Sequence, residues 1–134
     1  MPESGSVGRS LTVLVADDNE VAQRLCRRVL EKAGHKVLTA SDGQEAVDIA
    51  LGPAGAPDMI LMDVAMPGMD GLEAMRQIKA QKPGLAIVIA SAHSMASDRE
   101  RFHAAGADDV LSKPFKLTDL TGVVDRLAAH KAEA

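Results

Sequence analysis

Residues 11–18 read Leu11-Thr12-Val13-Leu14-Val15-Ala16-Asp17-Asp18, an apolar run that stops on two adjacent carboxylates. Two further runs stop in the same manner: Met59-Ile60-Leu61-Met62 on Asp63, and Val110-Leu111-Ser112 on Lys113. A charge that terminates a buried strand does nothing for the core. In an open parallel α/β sheet, the carboxyl ends of the strands border the crevice where ligands bind. Three carboxylates and one ammonium gathered there predict a divalent cation and a phosphate. Taken singly, Asp17 or Asp18 would pass for a helix cap and Lys113 for a surface lysine; the recurrence at three strand ends argues otherwise.

Working outward, apolar periodicity switches repeatedly between strand and helix. A helix is predicted over 19–33, where Val21, Leu25 and Val29 recur at four-residue spacing beside Leu30, with Arg24, Arg27 and Arg28 mostly on the other side. Gly34 suits its left-handed stop. A short strand over 36–40 follows, then a helix over 43–51 capped from Ser41-Asp42. Gly52-Pro53-Ala54-Gly55-Ala56-Pro57 is a loop by composition. After the strand ending at Asp63 come the loop Met66-Pro67-Gly68-Met69-Asp70-Gly71, a helix over 72–81 and the break Pro83-Gly84. The strongest strand is LAIVIA, 85–90, ending at Ser91, whose hydroxyl could bond a phosphate oxygen. A helix over 96–105, a strand over 110–112 and a helix over 117–130 complete five strand–helix alternations. Near-continuous apolar strands require cover on both faces, and right-handed crossovers lead to a doubly wound parallel sheet.

Composition narrows the function. The chain has 134 residues, 46% apolar and 25% charged, which suits one domain with a full core. The alternation occupies 11–130, leaving 1–10 as a loose tail and 131–134 as a short one. A net charge of −4 without a basic run disfavours nucleic-acid binding through phosphate neutralisation. No apolar run reaches membrane-spanning length and 1–10 lacks a signal core, so a cytoplasmic protein is expected. The lone Cys26 fits a reducing compartment and reads as a packing residue. With no Trp or Tyr and only Phe102 and Phe115 aromatic, stacking platforms for bases or flavins are disfavoured. His35, His103 and His130 lack metal-ligand spacing and are expected at the surface.

The segments VLVADDN (13–19), ILMDVAMPGMDG (60–71), IVIASA (87–92) and GADDVLSKPF (106–115), in this order and each at a strand end, resemble the receiver domain of bacterial two-component response regulators. The resemblance covers about 11–130. It implies a flavodoxin-like five-stranded sheet of order 2-1-3-4-5 with five helices. It implies that Asp63 is the phosphoacceptor, receiving a phosphoryl group from a phosphohistidine on a histidine kinase or histidine phosphotransfer protein. Mg²⁺ would be held by Asp18, Asp63 and the Ala65 carbonyl, with Asp17 acting through water. Ser91 and Lys113 would hold the phosphoryl oxygens, and the Lys113–Pro114 peptide would be cis. Such a domain catalyses its own phosphorylation and dephosphorylation and is a signalling module rather than an enzyme acting on a separate substrate.

The resemblance also exposes departures. The position two residues before Ser112-Lys113 is commonly Tyr or Phe and moves with the hydroxyl residue; here it is Val110. Ser91 is smaller than the more frequent Thr. We therefore expect output to run through 92–95 and the fourth helix, toward a possible downstream protein on the face of helix four, strand five and helix five. Ala65 and His93 lie where family members tune the phosphoryl lifetime. The docking face for a histidine-bearing helix would include Val21, Ala22 and Leu25, with Lys116 and Leu117 across from them; Pro114 and Phe115 lie on the loop itself, whereas Leu25 and Val29 also suit the core. A monomer is expected.

Three other readings compete. A haloacid-dehalogenase-type phosphatase would want a second acid two residues after Asp63, where Ala65 stands. A nucleotide or flavin site would want glycines where Asp17-Asp18-Asn19 stand. A phosphorylation-independent binding module need not retain the whole site. The chain could also be a receiver segment of a hybrid histidine kinase; Met1 and the short tails favour a stand-alone regulator or phosphorelay shuttle without a DNA-binding output domain.

Overall fold

The computed structural model describes residues 10–52, 57–92, 95–113 and 116–133, with side chains through Leu127. Among the described residues ten elements alternate: β1 (Thr12–Ala16), α1 (Glu20–Lys32), β2 (Lys36–Ala40), α2 (Gly43–Leu51), β3 (Met59–Asp63), α3 (Gly71–Gln81), β4 (Ala86–Ser91), α4 (Ala96–Ala105), β5 (Asp109–Ser112) and α5 (Leu117–Glu133). The five strands form one parallel sheet in the order β2-β1-β3-β4-β5, as the resemblance implies. β1 and β4 sit one residue later than the apolar runs indicate, because the backbone ladder extends onto Ala16 and Ser91. α5 continues to Glu133, three residues past the helix end expected at His130.

Strand side chains alternate across the sheet and feed two cores. Leu14, Ile60, Met62, Ile87, Ile89 and Val110 face α2, α3 and α4, where Ala46, Ala74, Met75, Ile78 and Phe102 meet them. Val13, Val15, Met59, Leu61, Val88 and Leu111 face α1 and α5, meeting Cys26, Leu30, Leu120, Val123 and Val124. Side chains cap three helix starts, at Asp42 as expected and also at Asn19 and Asp70. The Asn19 side chain accepts from the backbone N–H of Val21 and Ala22, Asp42 from Glu45, and Asp70 from Glu73, each worth about 1 kcal/mol.

Acids at the amino edge of the sheet are engaged structurally. Asp58 accepts the Thr12 N–H at 2.9 Å. Asp108 accepts the Ile87 N–H at 2.8 Å and pairs with Lys79 at 2.8 Å. They satisfy backbone donors at the starts of β1 and β4. The acids at the opposite edge, Asp17, Asp18 and Asp63, instead gather together and define the site described below.

Two expectations are corrected. Leu25, which suits the core by its spacing, is 49% exposed, beside the docking candidate Val21 at 72%. The buried side is Cys26 and Leu30 with Val29 partly covered. Apolar residues occupy two adjacent rows of this helix, and spacing alone does not say which row faces the sheet. His35, expected at the surface, is buried because its Nδ1 accepts the Leu11 N–H at 3.1 Å. His103 is exposed, as expected; the His130 side chain lies outside the described residues.

Candidate metal and phosphoryl site

The strand register brings the charged ends together. Ala16 pairs with Met62 across β1 and β3, so Asp17 follows directly beside Asp63. Asp63 pairs with Ala90, one residue before Ser91, and Ser91 pairs with Ser112, one residue before Lys113. Asp17, Asp18 and Asp63 each offer an oxygen, and these oxygens lie within 4.8 Å of one another. Asp17 and Asp63 are buried and Asp18 is exposed. Lys113 Nζ reaches between the buried pair, 3.2 Å from Asp63 Oδ1 and 3.3 Å from Asp17 Oδ2.

The backbone around these groups is tightly held. The Lys113 N–H donates to the Ser91 carbonyl at 2.8 Å, which keeps the segment after β5 against β4. The Asn19 N–H donates to Asp17 Oδ1 at 2.9 Å and orients that carboxylate. The loop after Asp63 folds back so closely that the Gly71 N–H bonds the Val64 carbonyl at 2.9 Å. A Cβ on Gly71 would stand 2.1 Å from the Asp63 carbonyl oxygen, so no larger residue fits there. The pattern showed Gly71 only as the end of a glycine-containing loop; its close approach to Asp63 is a tertiary fact.

The charges respond accordingly. Burial pushes the Asp63 carboxyl above its usual range; Lys113 opposes the shift, while Asp17 and Asp18 reinforce it. Burial alone would lower Lys113, yet Asp17 and Asp63 outweigh it and hold its ammonium above the usual range. Two carboxylates about 4.8 Å apart repel by about 3.5 kcal/mol at an effective dielectric of about 20. One ammonium against three such groups leaves excess negative charge. The donors are all oxygen, the choice of a hard dication such as Mg²⁺, which takes one or two carboxylates plus waters and phosphate oxygens. The residues present therefore fit that ion.

The remaining expected residues fall as follows. Ser91 is buried at the end of β4, next to the strand that carries Asp63. Ala65 lies exposed two residues past Asp63. Val110 is buried on β5 in the core shared with Phe102 of α4, and it carries no aromatic ring to swing. Val21 and Leu25 are exposed on α1, Ala22 is half-buried, and Lys116 and Leu117 are exposed at the start of α5. His93, Pro114 and Phe115, and with Pro114 the expected cis peptide, lie outside the described residues. Cys26 is buried, and burial pushes its thiol up to about 11, with Asp17 adding to the effect, which suits a packing role. Sequence reading passed over Gln23, whose side-chain amide donates to the Asp17 carbonyl at 2.5 Å; a polar residue one turn into a helix carries no signal of its own.

Comparison with known proteins agrees with this geometry. The sequence profile of the response regulator receiver domain matches residues 13–125. Response regulator MprA of Mycolicibacterium vanbaalenii is 40% identical over 108 residues, covering 81% of this chain and 46% of MprA. The probable transcriptional regulatory protein TcrX of Mycobacterium tuberculosis is 35% identical over 122 residues, covering 91% of this chain and 50% of TcrX. The chain thus spans about half the length of these curated relatives. Among solved structures, the receiver domain of the Francisella response regulator 1452 matches with a TM-score of 0.85 at 28% identity, covering 91% of this chain and 99% of that one. With its sheet order, its strand-end acids and these relatives in agreement, the chain belongs to the receiver-domain family of two-component response regulators.

Proposed function

We propose that this receiver takes a phosphoryl group onto Asp63 from a phosphohistidine on a histidine kinase or histidine phosphotransfer protein. The observation that carries the reading is the convergence of the Asp17, Asp18 and Asp63 carboxylates within 4.8 Å, with Lys113 Nζ 3.2 Å from Asp63. An oxygen of Asp63 attacks phosphorus, the P–N bond to the donor imidazole breaks as the P–O bond forms, and the released imidazole takes up a proton. Lys113 and Ser91 hold the phosphoryl oxygens and neutralise their charge, which is most of what phosphoryl transfer requires. Asp18, Asp63 and the Ala65 carbonyl would hold Mg²⁺, with Asp17 reaching it through water. When bound, the ion offsets the repulsion among the acids and draws charge from the transferred group. Hydrolysis of the aspartyl phosphate on the same residues returns the starting state, with Ala65 and His93 setting its lifetime.

The receiver unit in this reading is residues 11–130, flanked by 1–10 and 131–134, and it works in the cytoplasm as a monomeric regulator or phosphorelay shuttle. A net charge of −4 supports a protein partner over nucleic acid, and none of the described helices is long and apolar enough to cross a membrane. The histidine-bearing partner docks on Val21, Ala22 and Leu25, and the resemblance adds Pro114 and Phe115 to that face. Exposure of Val21 and Leu25 supports that face. Because Val110 offers no aromatic rotor, output runs through the segment after Ser91 and α4 toward the α4–β5–α5 face. A receiver segment of a hybrid histidine kinase is the second reading.

The test is intact mass after incubation with acetyl phosphate, and separately with a phosphorylated histidine donor, in Mg²⁺ and in chelator. One alkali-labile phosphoryl group that requires Mg²⁺ and is lost in Asp63→Asn is the expected result. No adduct from either donor, with no Mg²⁺ binding, overturns the reading in favour of a phosphorylation-independent binding module.

A further inference from the structure

Among the described residues, the Asp18 carboxylate makes no hydrogen bond or ion pair. Its neighbours differ. Asp17 is held by the Asn19 N–H and by Lys113, and Asp63 by Lys113. With no such partner among the described residues, the position of the Asp18 carboxylate depends on where its backbone is held. That backbone follows the rigid, planar Asp17–Asp18 peptide, and one side chain grips this peptide.

Gln23, in the first turns of α1, donates from Nε2 to the Asp17 carbonyl at 2.5 Å. The same nitrogen lies 3.2 Å from the Ala40 carbonyl and 3.3 Å from Ser41 Oγ. Two of these three neighbours are carbonyl oxygens, so the amide nitrogen, not its oxygen, must face them. Ala40 also accepts the Asp17 N–H at 3.0 Å, so the end of β2 holds both the Asp17 amide and the side chain that holds its carbonyl. Gln23 is itself anchored, its N–H donating to the Asn19 carbonyl at 3.0 Å. On the far side of Asp18, Asn19 is fixed as the α1 cap. Asp18 thus lies between two pinned points, and among the described residues Gln23 is the side-chain donor to the Asp17 carbonyl.

We propose that Gln23 is a positioning residue for the metal site. By fixing the Asp17–Asp18 peptide against the end of β2, it aims the otherwise unsupported Asp18 carboxylate at Asp63. This inference rests on the receiver reading above. Outer-shell partners of metal ligands typically change affinity by about 10–100-fold when removed. A contact that merely joins α1 to β2 would lower folding stability and leave the ion's affinity alone.

The experiment is calorimetric titration of the chelator-treated full chain with Mg²⁺, for wild type, Gln23→Met and Ser41→Ala, with thermal unfolding of each in chelator. Methionine keeps the length of glutamine and removes the donor; Ser41→Ala removes only the most distant contact. The expected result is a Kd weakened about tenfold by Gln23→Met and changed less than twofold by Ser41→Ala. An unchanged Kd for Gln23→Met overturns the proposal even if its unfolding midpoint falls, because that is the behaviour of a simple staple. Should Gln23→Met fail to fold, Gln23→Asn, whose amide stops one methylene short of the Asp17 carbonyl, is judged by the same criterion. If wild type itself binds no Mg²⁺, the receiver reading fails and this proposal with it; if wild type binds and Gln23→Met matches it, only this proposal fails.

Discussion

Replacing Asp63 with Asn should stabilise the folded chain in chelator and weaken its response to Mg²⁺. The substitution is nearly isosteric and removes one charge from a set whose oxygens lie within 4.8 Å. At an effective dielectric of about 20, it abolishes repulsions of about 3.5 kcal/mol from each of Asp17 and Asp18. It also forfeits an attraction of about 5 kcal/mol to Lys113, which keeps Asp17 as a partner at 3.3 Å. The balance favours Asn by about 2 kcal/mol, reduced to about 1–2 kcal/mol by solvent screening at exposed Asp18. For a domain of this size that is a rise in Tm of about 3–6 °C. The pH dependence has a definite sign. Burial raises the Asp63 carboxyl above 3.8, so the folded chain holds that proton more tightly than the unfolded chain does. Its stabilising share is complete below 3.8 and disappears as pH rises through the folded value. Asp63→Asn should remove that loss, so its advantage grows with pH across the window. Chemical unfolding of both proteins over a pH series, with Mg²⁺ and with chelator, measures both effects. A variant less stable than wild type in chelator at neutral pH would refute the claim that the acids are in electrostatic conflict. Equal Mg²⁺ stabilisation of the two would remove Asp63 from the metal site.

Four further outcomes are expected. Gly71→Ala should cost several times more than Gly34→Ala, because its Cβ would meet the Asp63 carbonyl at 2.1 Å whereas Gly34, at φ 97°, has open space. About 3 kcal/mol against about 1 kcal/mol is the contrast to look for in urea denaturation. His35→Leu should cost about 1–3 kcal/mol at neutral pH by orphaning the Leu11 N–H. Burial lowers His35 below 6.5 despite Asp125, so its share is present above 6.5 and lost as pH falls toward the folded value; the variant's stability should vary less across that window. Leu25→Asp should change stability by less than about 0.5 kcal/mol, since the side chain is half exposed, yet slow phosphoryl transfer from a protein donor without affecting acetyl phosphate. Loss of both transfers would point to a folding defect in place of docking. Asp108→Ala should cost about 2 kcal/mol by freeing the Ile87 N–H and half-buried Lys79, with phosphorylation unchanged, as measured by thermal melts beside the mass assay.

In the proposed reading, Val110 bears on signalling more than on chemistry. It is buried in the core that also holds Phe102 of α4, where an aliphatic side chain has no ring to turn between inward and outward positions. Phosphorylation of Asp63 would reach α4 through Ser91 and the segment that follows it. Partner affinity that is equal for the two phosphorylation states would leave a phosphate shuttle or sink as the description of this protein.

Much of the fold follows from local pattern. Strand and helix periods differ, capping residues such as Asn19, Asp42 and Asp70 stand where helices start, and parallel connections allow few arrangements. Charges at strand ends were legible for the same reason, since a strand's direction and a crossover's handedness send Asp17, Asp63 and Lys113 to one edge. Local pattern does not report rotation or distance. Four-residue spacing on α1 groups Leu25 with Val29, but packing buries Cys26 and Leu30 and leaves Val21 and Leu25 outside. His35 became a buried acceptor because Leu11, distant in the chain, presents an N–H to it. Lys113 meets an acid 96 positions away, and Gln23 meets the carbonyl of Asp17 only because β2 lies beside β1. Periodicity along a chain fixes which residues share a face, while the contacts that tune a site are made between segments whose separation only the assembled sheet determines.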